Sequence, residues 1–381
     1  MFDRIRPILR SLLTLIRDAM PVVVGAGVLA AFQFRGSGWL NELSDPLVAA
    51  AVFAVLFTIM LWASFAVVRH AEALAEILGE PYGTLILTLA VIVIEVSLIA
   101  AIMLTGDAAP TLARDTMLAV LMIVLNGLVG GALLIGGIVH REQDFNLLGA
   151  RSFISVLVPL AVFSLILPVF TVSTDAPTFS TGQAVMFGIL TALLYAVFLA
   201  IQTGRHRSFF LLETETFADA VESIPVTGSV LRRCLYHALF LVLALLPIVL
   251  LSKHMAKVVD YGSVQLGVPT ALGAIVIACL VLTPEGIAAM KAAYLNRLQR
   301  SINLLLGAAL STIGLTVPAV LAVGVFTGQA VILGLDEVQM VLLVLTLLLS
   351  AITFGGGRTN LLQGAVHVVV FLAYLVLVFT P

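Results

Sequence analysis

Two glutamates occupy the middle of long apolar runs. Glu95 lies in LILTLAVIVIEVSLIAAIML (85–104), and Glu285 lies in ALGAIVIACLVLTPEGIAAM (271–290). The other 19 of the 21 acidic residues fall outside such runs or close to their ends. A charged side chain at the centre of a bilayer costs about 2.5–3.5 kcal/mol on insertion scales. Each glutamate therefore indicates either a functional carboxylate or a protonated structural group that donates a hydrogen bond to a neighbouring helix.

Paired carboxylates in an apolar setting can carry out cation/proton exchange. Desolvation and mutual repulsion both favour their protonated forms. A cation that finds enough oxygen ligands displaces those protons, so cation and proton compete for one site. Alternating access then converts this competition into exchange, and the two protonation steps belong to the pair. The sequence predicts a metal-binding and proton-binding site at Glu95 and Glu285.

Further oxygens are needed, because Ca²⁺ takes six to eight oxygen ligands. Pro284 lacks an N–H, which predicts a helix break or kink beside Glu285 and a released carbonyl at Leu280. Thr283 and Thr88 add hydroxyls, although such hydroxyls often bond back to their own helix. The polar candidates on the next helix after each glutamate are Asn126, Ser311, Thr312 and Thr316.

A second acidic pattern precedes the Glu95 run. Glu72, Glu76 and Glu80 recur every four residues. This spacing indicates either a solvated helix face or a cytoplasmic mouth that collects cations.

The whole chain has the composition of a polytopic membrane protein. Hydrophobic residues make up 61% of its 381 positions and charged residues 10%, whereas soluble domains carry about 25% charged residues. Because a helix needs about 20 apolar residues to cross a bilayer, we predict an all-α fold with about eleven transmembrane helices. The predicted spans are 19–34, 47–68, 84–105, 117–139, 152–172, 183–203, 234–252, 268–290, 302–326, 337–353 and 360–380.

The basic residues predict the orientation of these spans. Fifteen of the 19 Lys and Arg residues fall on one side, and four fall on the other: Arg35, Arg114, Lys253 and Lys257. The positive side faces the cytoplasm. We therefore expect a cytoplasmic N-terminus and a C-terminus on the outside.

The span count also predicts an inverted repeat. Residues 1–40 form a cytoplasmic segment and a first helix, 41–204 a first five-helix repeat, 205–233 an acidic cytoplasmic linker and 234–381 a second five-helix repeat. Five is odd, so the two repeats cross the membrane in opposite directions, a common plan among transporters. Glu95 and Glu285 lie on the second helix of each repeat, and we expect them to meet near the membrane midplane.

Several segments resemble the calcium/proton exchangers of the cation/calcium exchanger superfamily. GEPYGTLILTLAVIVIEVSLI (79–99) is similar to the first repeat motif of that family, with Gly79, Glu80 and Glu95 at the motif positions. LGAIVIACLVLTPEGIAAMKAA (272–293) looks like the second, with Glu285 as the motif glutamate. LGAALSTIGLTVPAVLAVG (306–324) and GGRTNLLQGAVHVVVFLAYLVLVF (356–379) resemble later helices. The likeness is closest to the bacterial calcium/proton and sodium/proton antiporters.

This resemblance implies exchange of Ca²⁺ or a monovalent cation for protons in a bacterial inner membrane. One departure concerns the ion. Where the family has Gly-Asn before each glutamate, this chain has Val91-Ile92 and Val281-Leu282. Those asparagines are ligands in the family pattern, so a site without them also suits Na⁺ or K⁺.

We therefore expect a secondary antiporter that exports Ca²⁺ in exchange for protons, with Na⁺ or K⁺ as the alternative ion. A passive cation channel is the alternative from another class. The spans contain no nucleophile and base pattern that would indicate an enzyme. The expected partners are the lipid bilayer, small cations and protons, without nucleic acid and without a cofactor beyond the transported ions.

Overall fold

The computed structural model describes residues 2–41, 45–79, 82–105, 110–211, 230–265, 271–329 and 331–380. Most of the predicted acidic linker lies outside these residues, as does Glu80 of the predicted mouth.

Helices make up nearly all of the described chain. The α-helices are α1 Phe2–Asn41, α2 Pro46–Leu78, α3 Tyr82–Thr105, α4 Leu112–Met122, α5 Val129–His140, α6 Leu147–Ala161, α7 Leu167–Phe170, α8 Thr181–Ala200, α9 Val230–Gln265, α10 Ala271–Tyr294, α11 Leu298–Ser311, α12 Val317–Thr327, α13 Glu337–Thr353 and α14 Leu361–Phe379. Four π-helical segments continue or join them: π1 Ile123–Leu128, π2 Val162–Ile166, π3 Ile201–Arg205 and π4 Thr312–Thr316. A short 3₁₀ helix covers Arg207–Phe210.

The helices confirm an all-α polytopic membrane fold. Within the described residues, nine helices are long and apolar enough to cross a bilayer, several of them built from α-helical and π-helical pieces. Two shorter apolar helices, Leu85–Ala101 and Glu337–Thr353, coincide with the third and tenth predicted spans. Together they account for eleven apolar helices.

One small β-sheet was not predicted. Strands β1 Glu142–Asp144 and β2 Arg358–Asn360 pair in antiparallel fashion, with Gln143 opposite Thr359. An exposed ion pair of 2.8 Å joins Arg358 Nε to Asp144 Oδ1 across the pair. The sheet connects the segment that follows α5 to the segment that precedes α14.

The chain packs as two compact units. Unit 1 consists of residues 1–106 and 227–267, and unit 2 of residues 107–226 and 268–381. Each unit draws on both predicted repeats, so these packing units differ from the predicted domains. The repeat division describes chain topology, and it stays a prediction.

Small residues let helices approach closely within unit 2. A Cβ added to Gly364 of α14 would lie 2.6 Å from the backbone nitrogen of Leu134 in α5. A Cβ on Gly137 of α5 would lie 2.6 Å from the backbone nitrogen of Leu361. The hydrophobic effect does not drive membrane helices together. Van der Waals packing does so instead, and small residues allow the close approach that this packing requires.

The structure shows no helix break at Pro284, and the predicted kink there stays a prediction. Helix α10 continues as an α-helix from Ala271 to Tyr294 with Pro284 inside it, and α3 likewise runs through Glu95. A proline removes only one backbone donor, and the turns on either side keep their own hydrogen bonds. The π-helical irregularities of the described chain, π1 to π4, lie outside α3 and α10.

Candidate cation site

Glu95 lies inside unit 1 on α3. Its side chain is buried, with 0% of the residue exposed. Helix α3 packs against α2 and α9 within that unit. The apolar residues around Glu95 are sufficient to form a membrane helix. Hydrophobic packing of α3 therefore does not explain why a carboxylate lies there.

Glu285 lies inside unit 2 on α10 and is 8% exposed. Helix α10 packs against α4, π1 and α11. The next residue, Gly286, faces Leu128 of π1. Glu285 is therefore held beside the π-helical segment that contains Asn126. The predicted meeting of Glu95 and Glu285 stays a prediction.

Asn126 is fully buried in π1 and takes part in a polar cluster. Its Nδ2 donates to Thr346 Oγ1 over 2.8 Å and approaches Met122 Sδ at 3.7 Å. Its Oδ1 lies 3.2 Å from His367 Nδ1. Both the nitrogen and the oxygen of the Asn126 amide thus already have hydrogen-bond partners. The carbonyl oxygen retains a second lone pair that can bind a cation.

The polar candidates after Glu285 lie in or next to the π-helical segment π4. Thr312 and Thr316 begin and end π4, and Ser311 precedes it. All three are buried. Ser311 donates to the backbone oxygen of Ala308 at 3.0 Å. Because π-helical turns occur frequently at functional sites, π1 and π4 strengthen the case for these helices as site-forming elements.

The two threonines beside the glutamates differ in their surroundings. Thr283 donates to the carbonyl of Cys279 at 2.6 Å, so its hydroxyl bonds back to its own helix. Thr88 is half-buried on α3. The ligand role of Thr88 and of the Leu280 carbonyl stays a prediction.

The acidic residues of the predicted mouth lie at the end of α2. Glu72 is half-buried and Glu76 is exposed, both on the helix that ends at Leu78. The predicted spacing therefore falls on a helix.

Sequence reasoning missed a buried acidic residue in unit 1. Asp18 of α1 is 1% exposed. Its carboxylate lies 3.0 Å from Arg69 Nη2 and accepts a hydrogen bond of 2.9 Å from Tyr236. Beside it, His70 Nδ1 and His237 Nδ1 lie 3.0 Å apart. These contacts tie α1, α2 and α9 together, and the apolar pattern gave no indication of them because Asp18 stands just before the first apolar run.

A second buried acidic residue lies in unit 2. Asp115 of α4 is 6% exposed and pairs with Arg114 at 2.9 Å. Arg114 also donates to the carbonyl of Gly334 at 3.1 Å. Asp115, Asp336 and Gln339 line a cavity of about 370 Å³. The carboxylate is thus neutralised by its sequence neighbour.

The described residues contain no cluster of side chains typical of a permanently bound metal ion. No group of three or more His, Cys, Asp or Glu side chains in them is arranged to hold a metal ion. In an exchanger the cation is cargo, which a site must also release.

A helical membrane fold with carboxylates buried in its spans is typical of polytopic ion transporters. The sequence profile of one family, described as sodium/calcium exchanger protein, matches residues 48–204 and 236–380. This chain belongs to that family.

Known proteins support the assignment at two levels. The sodium-potassium/proton antiporter ChaA of Escherichia coli (strain K12) is 42% identical over 342 residues, which cover 90% of this chain and 92% of ChaA. The structure of native YfkE matches with a TM-score of 0.72 at 16% identity, over 96% of this chain and 100% of YfkE. The H⁺/Ca²⁺ exchanger CAX matches with a TM-score of 0.67 at 13% identity, over 94% of this chain and 88% of CAX. At these identities the two structures show the fold alone.

Proposed function

We propose that this protein is a secondary antiporter that exchanges a cation for protons, with Glu95 and Glu285 as the groups that bind either one. The observation that carries the proposal is the burial of both carboxylates within continuous apolar helices. Placing a carboxylate at this depth in a membrane carries a free-energy cost, so two such groups in one chain indicate a function. The antiporter ChaA, 42% identical over 90% of the chain, supports proton coupling.

Sodium and potassium are the first candidates for the cation. This order differs from the sequence-based expectation, which placed Ca²⁺ first. Val91-Ile92 and Val281-Leu282 supply no side-chain oxygens, and the sodium-potassium/proton antiporter ChaA shares far more sequence with this chain than CAX does. A site with fewer fixed oxygens disfavours an ion that takes six to eight of them.

Ca²⁺ is the second candidate. Two carboxylates match its charge and its preference for oxygen ligands. Hydroxyl and backbone oxygens around Glu285 would have to complete the coordination sphere.

The proposed location is a bacterial inner membrane, with the N-terminus in the cytoplasm and the C-terminus outside. The distribution of Lys and Arg supports this orientation, since 15 of 19 lie on the predicted cytoplasmic side. The proposed partners are lipid, small cations and protons.

The test is cation-driven proton movement in vesicles that contain the purified protein. A pH-sensitive dye inside acidified vesicles should report alkalinisation when Na⁺, K⁺ or Ca²⁺ is added separately at several pH values. In antiport the cation enters as protons leave. The assay is run with the membrane potential held at zero, so that a potential created by cation entry cannot drive the protons out. Cation flux that proceeds without proton movement would instead identify a channel.

A further inference from the structure

Four buried polar side chains form a connected cluster in unit 2. Asn126 of π1, Thr346 and Thr353 of α13, and His367 of α14 are each at most 1% exposed. We call these four residues the Asn126 cluster. His367 is the one His, Asp, Glu, Lys or Arg residue within α14, and the fold does not need an imidazole to bury this apolar helix.

The hydrogen bonds of the cluster suit a neutral His367 that carries its proton on Nδ1. The carbonyl oxygen of Asn126 only accepts, so the 3.2 Å contact between Asn126 Oδ1 and His367 Nδ1 is a hydrogen bond in that tautomer, and the imidazole also hydrogen-bonds the backbone of Leu125. His367 Nε2 then accepts from the Thr353 hydroxyl at 2.9 Å. Asn126 Nδ2 donates to Thr346 at 2.8 Å. His367 therefore bridges α13 and π1 and sets the orientation of the Asn126 amide.

Close helix packing brings the imidazole to Asn126. A Cβ added to Gly130 of α5 would lie 2.9 Å from His367 Cβ. A side chain at position 130 would push α14 away from the α4–π1–α5 helix. The glycine thus permits the short reach that the His367–Asn126 contact requires.

The cluster connects to Glu285 through the π-helical segment. Asn126 and Leu128 both belong to π1. A Cβ added to Gly286 would lie 2.9 Å from Leu128 Cδ2, so π1 is the surface on which α10 rests beside Glu285. A change in the position of π1 is therefore transmitted to the neighbour of the carboxylate.

We propose that His367 is a positioning residue for cation exchange: its Nδ1–H holds Asn126, and with it the π-helical turn that supports Glu285. This inference rests on the proposed antiport function. Loss of the Nδ1 hydrogen bond alters cation binding while both glutamates remain present. The expected effect is a rise of about tenfold in the half-saturating cation concentration, with proton-coupled exchange retained.

Two substitutions separate the roles of the two ring nitrogens. In His367→Asn the side-chain amide nitrogen takes the place of Nδ1 and keeps a donor toward Asn126. In His367→Gln the amide reaches the position of Nε2, so the contact with Thr353 is kept and the contact with Asn126 is lost. A purely structural histidine predicts similar behaviour of the two variants. The positioning role predicts that His367→Gln raises the half-saturating concentration and that His367→Asn stays near the wild-type value.

Thr353→Val serves as the matched control, because it removes only the partner of Nε2. It should resemble His367→Asn in transport. Melting temperature in detergent and the yield of folded protein are measured for all three variants, and transport is expressed per folded molecule.

Equal half-saturating concentrations in wild type, His367→Asn and His367→Gln would overturn the proposal, whatever happens to their melting temperatures. If the His367 variants do not fold, Thr346→Val tests the same claim by releasing the other end of the Asn126 amide, and an unchanged half-saturating concentration there also overturns it. A wild-type protein that moves no protons on addition of cation would contradict the antiport function itself.

Discussion

Gly286 lies directly against Leu128, since a Cβ built on the glycine would come within 2.9 Å of Leu128 Cδ2. The contact joins α10 to π1 at the residue that follows Glu285. Contacts this short leave no room for a side chain unless one partner shifts. The glycine therefore leaves the space that the side chain of Leu128 occupies between the helix of Glu285 and the segment that holds Asn126.

Replacing Gly286 by leucine should lower the exchange rate at least several-fold, because the new side chain takes the space of Leu128 and either that side chain or α10 must move. The measurement is cation-driven proton flux per folded molecule. Gly182→Leu is the control, since a Cβ at Gly182 meets nothing within 4 Å. Equal rates in the two variants would show that the contact has no part in transport.

Replacing either buried glutamate by glutamine should abolish exchange. Glutamine retains the size and hydrogen bonding of a protonated acid but cannot ionise. Glu95→Gln and Glu285→Gln should therefore be inactive at every pH, because raising the pH cannot restore the carboxylate. A channel would instead keep downhill flux with altered conductance or selectivity.

The control for this pair is Glu337→Gln, an exposed glutamate at the start of α13. It should transport normally. Loss of folded protein in the Glu95 and Glu285 variants, with normal transport by the molecules that remain folded, would assign the two glutamates a structural role.

Proximity of the two glutamates is a separate prediction. In a protein whose natural cysteines, Cys234 and Cys279, are replaced by alanine, cysteines at positions 95 and 285 should be joined by a short bifunctional thiol reagent. The control places the second cysteine at Ile287, which is 56% exposed and lies about 200° around the helix from position 285. Similar cross-linking of both pairs, or of neither, would contradict the shared site.

Much of the fold was predictable because membrane helices are defined by apolar length. Each predicted span has its counterpart in an apolar helix, and the two glutamates are buried as the cost of their exposure to lipid requires. The π-helical segments were not predictable. The residues of segment π1 (IVLNGL) would also fit an α-helix. A shift in backbone hydrogen bonding does not change the hydropathy of the sequence.

Side-chain partners from distant parts of the chain were equally hidden. Asp18 is followed by an apolar run and preceded by Arg17, which gives it the sequence context of a residue at a span boundary. Its partners Arg69 and Tyr236 come from two other helices. Pairing across such separations requires the packing of α1, α2 and α9, which a single sequence does not specify.

The Asp18 contacts yield a stability prediction for unit 1. Removing one partner of a buried ion pair costs about 3–5 kcal/mol, whereas a hydrogen bond to a charged group is worth about 1.5–3 kcal/mol. Arg69 is 32% exposed and Arg17 Nε also lies 3.3 Å from Asp18 Oδ1, so water and Arg17 compensate in part for its loss. Arg69→Leu should lower the melting temperature in detergent more than Tyr236→Phe does. A larger effect of Tyr236→Phe would show that the phenol, not the ion pair, secures Asp18.

The continuous path of α10 through Pro284 allows the Leu280 carbonyl to be tested as a ligand. Pro284→Ala restores the backbone donor that the proline lacks, so residue 284 can close a hydrogen bond to Leu280. We expect a higher melting temperature and a half-saturating cation concentration raised several-fold, because the carbonyl is then engaged. Pro159→Ala, at a proline inside α6 of unit 2, should raise stability without changing cation binding. If Pro284→Ala binds cations as the wild type does, the Leu280 carbonyl is not a ligand, and the oxygens around Glu285 must come from side chains and water.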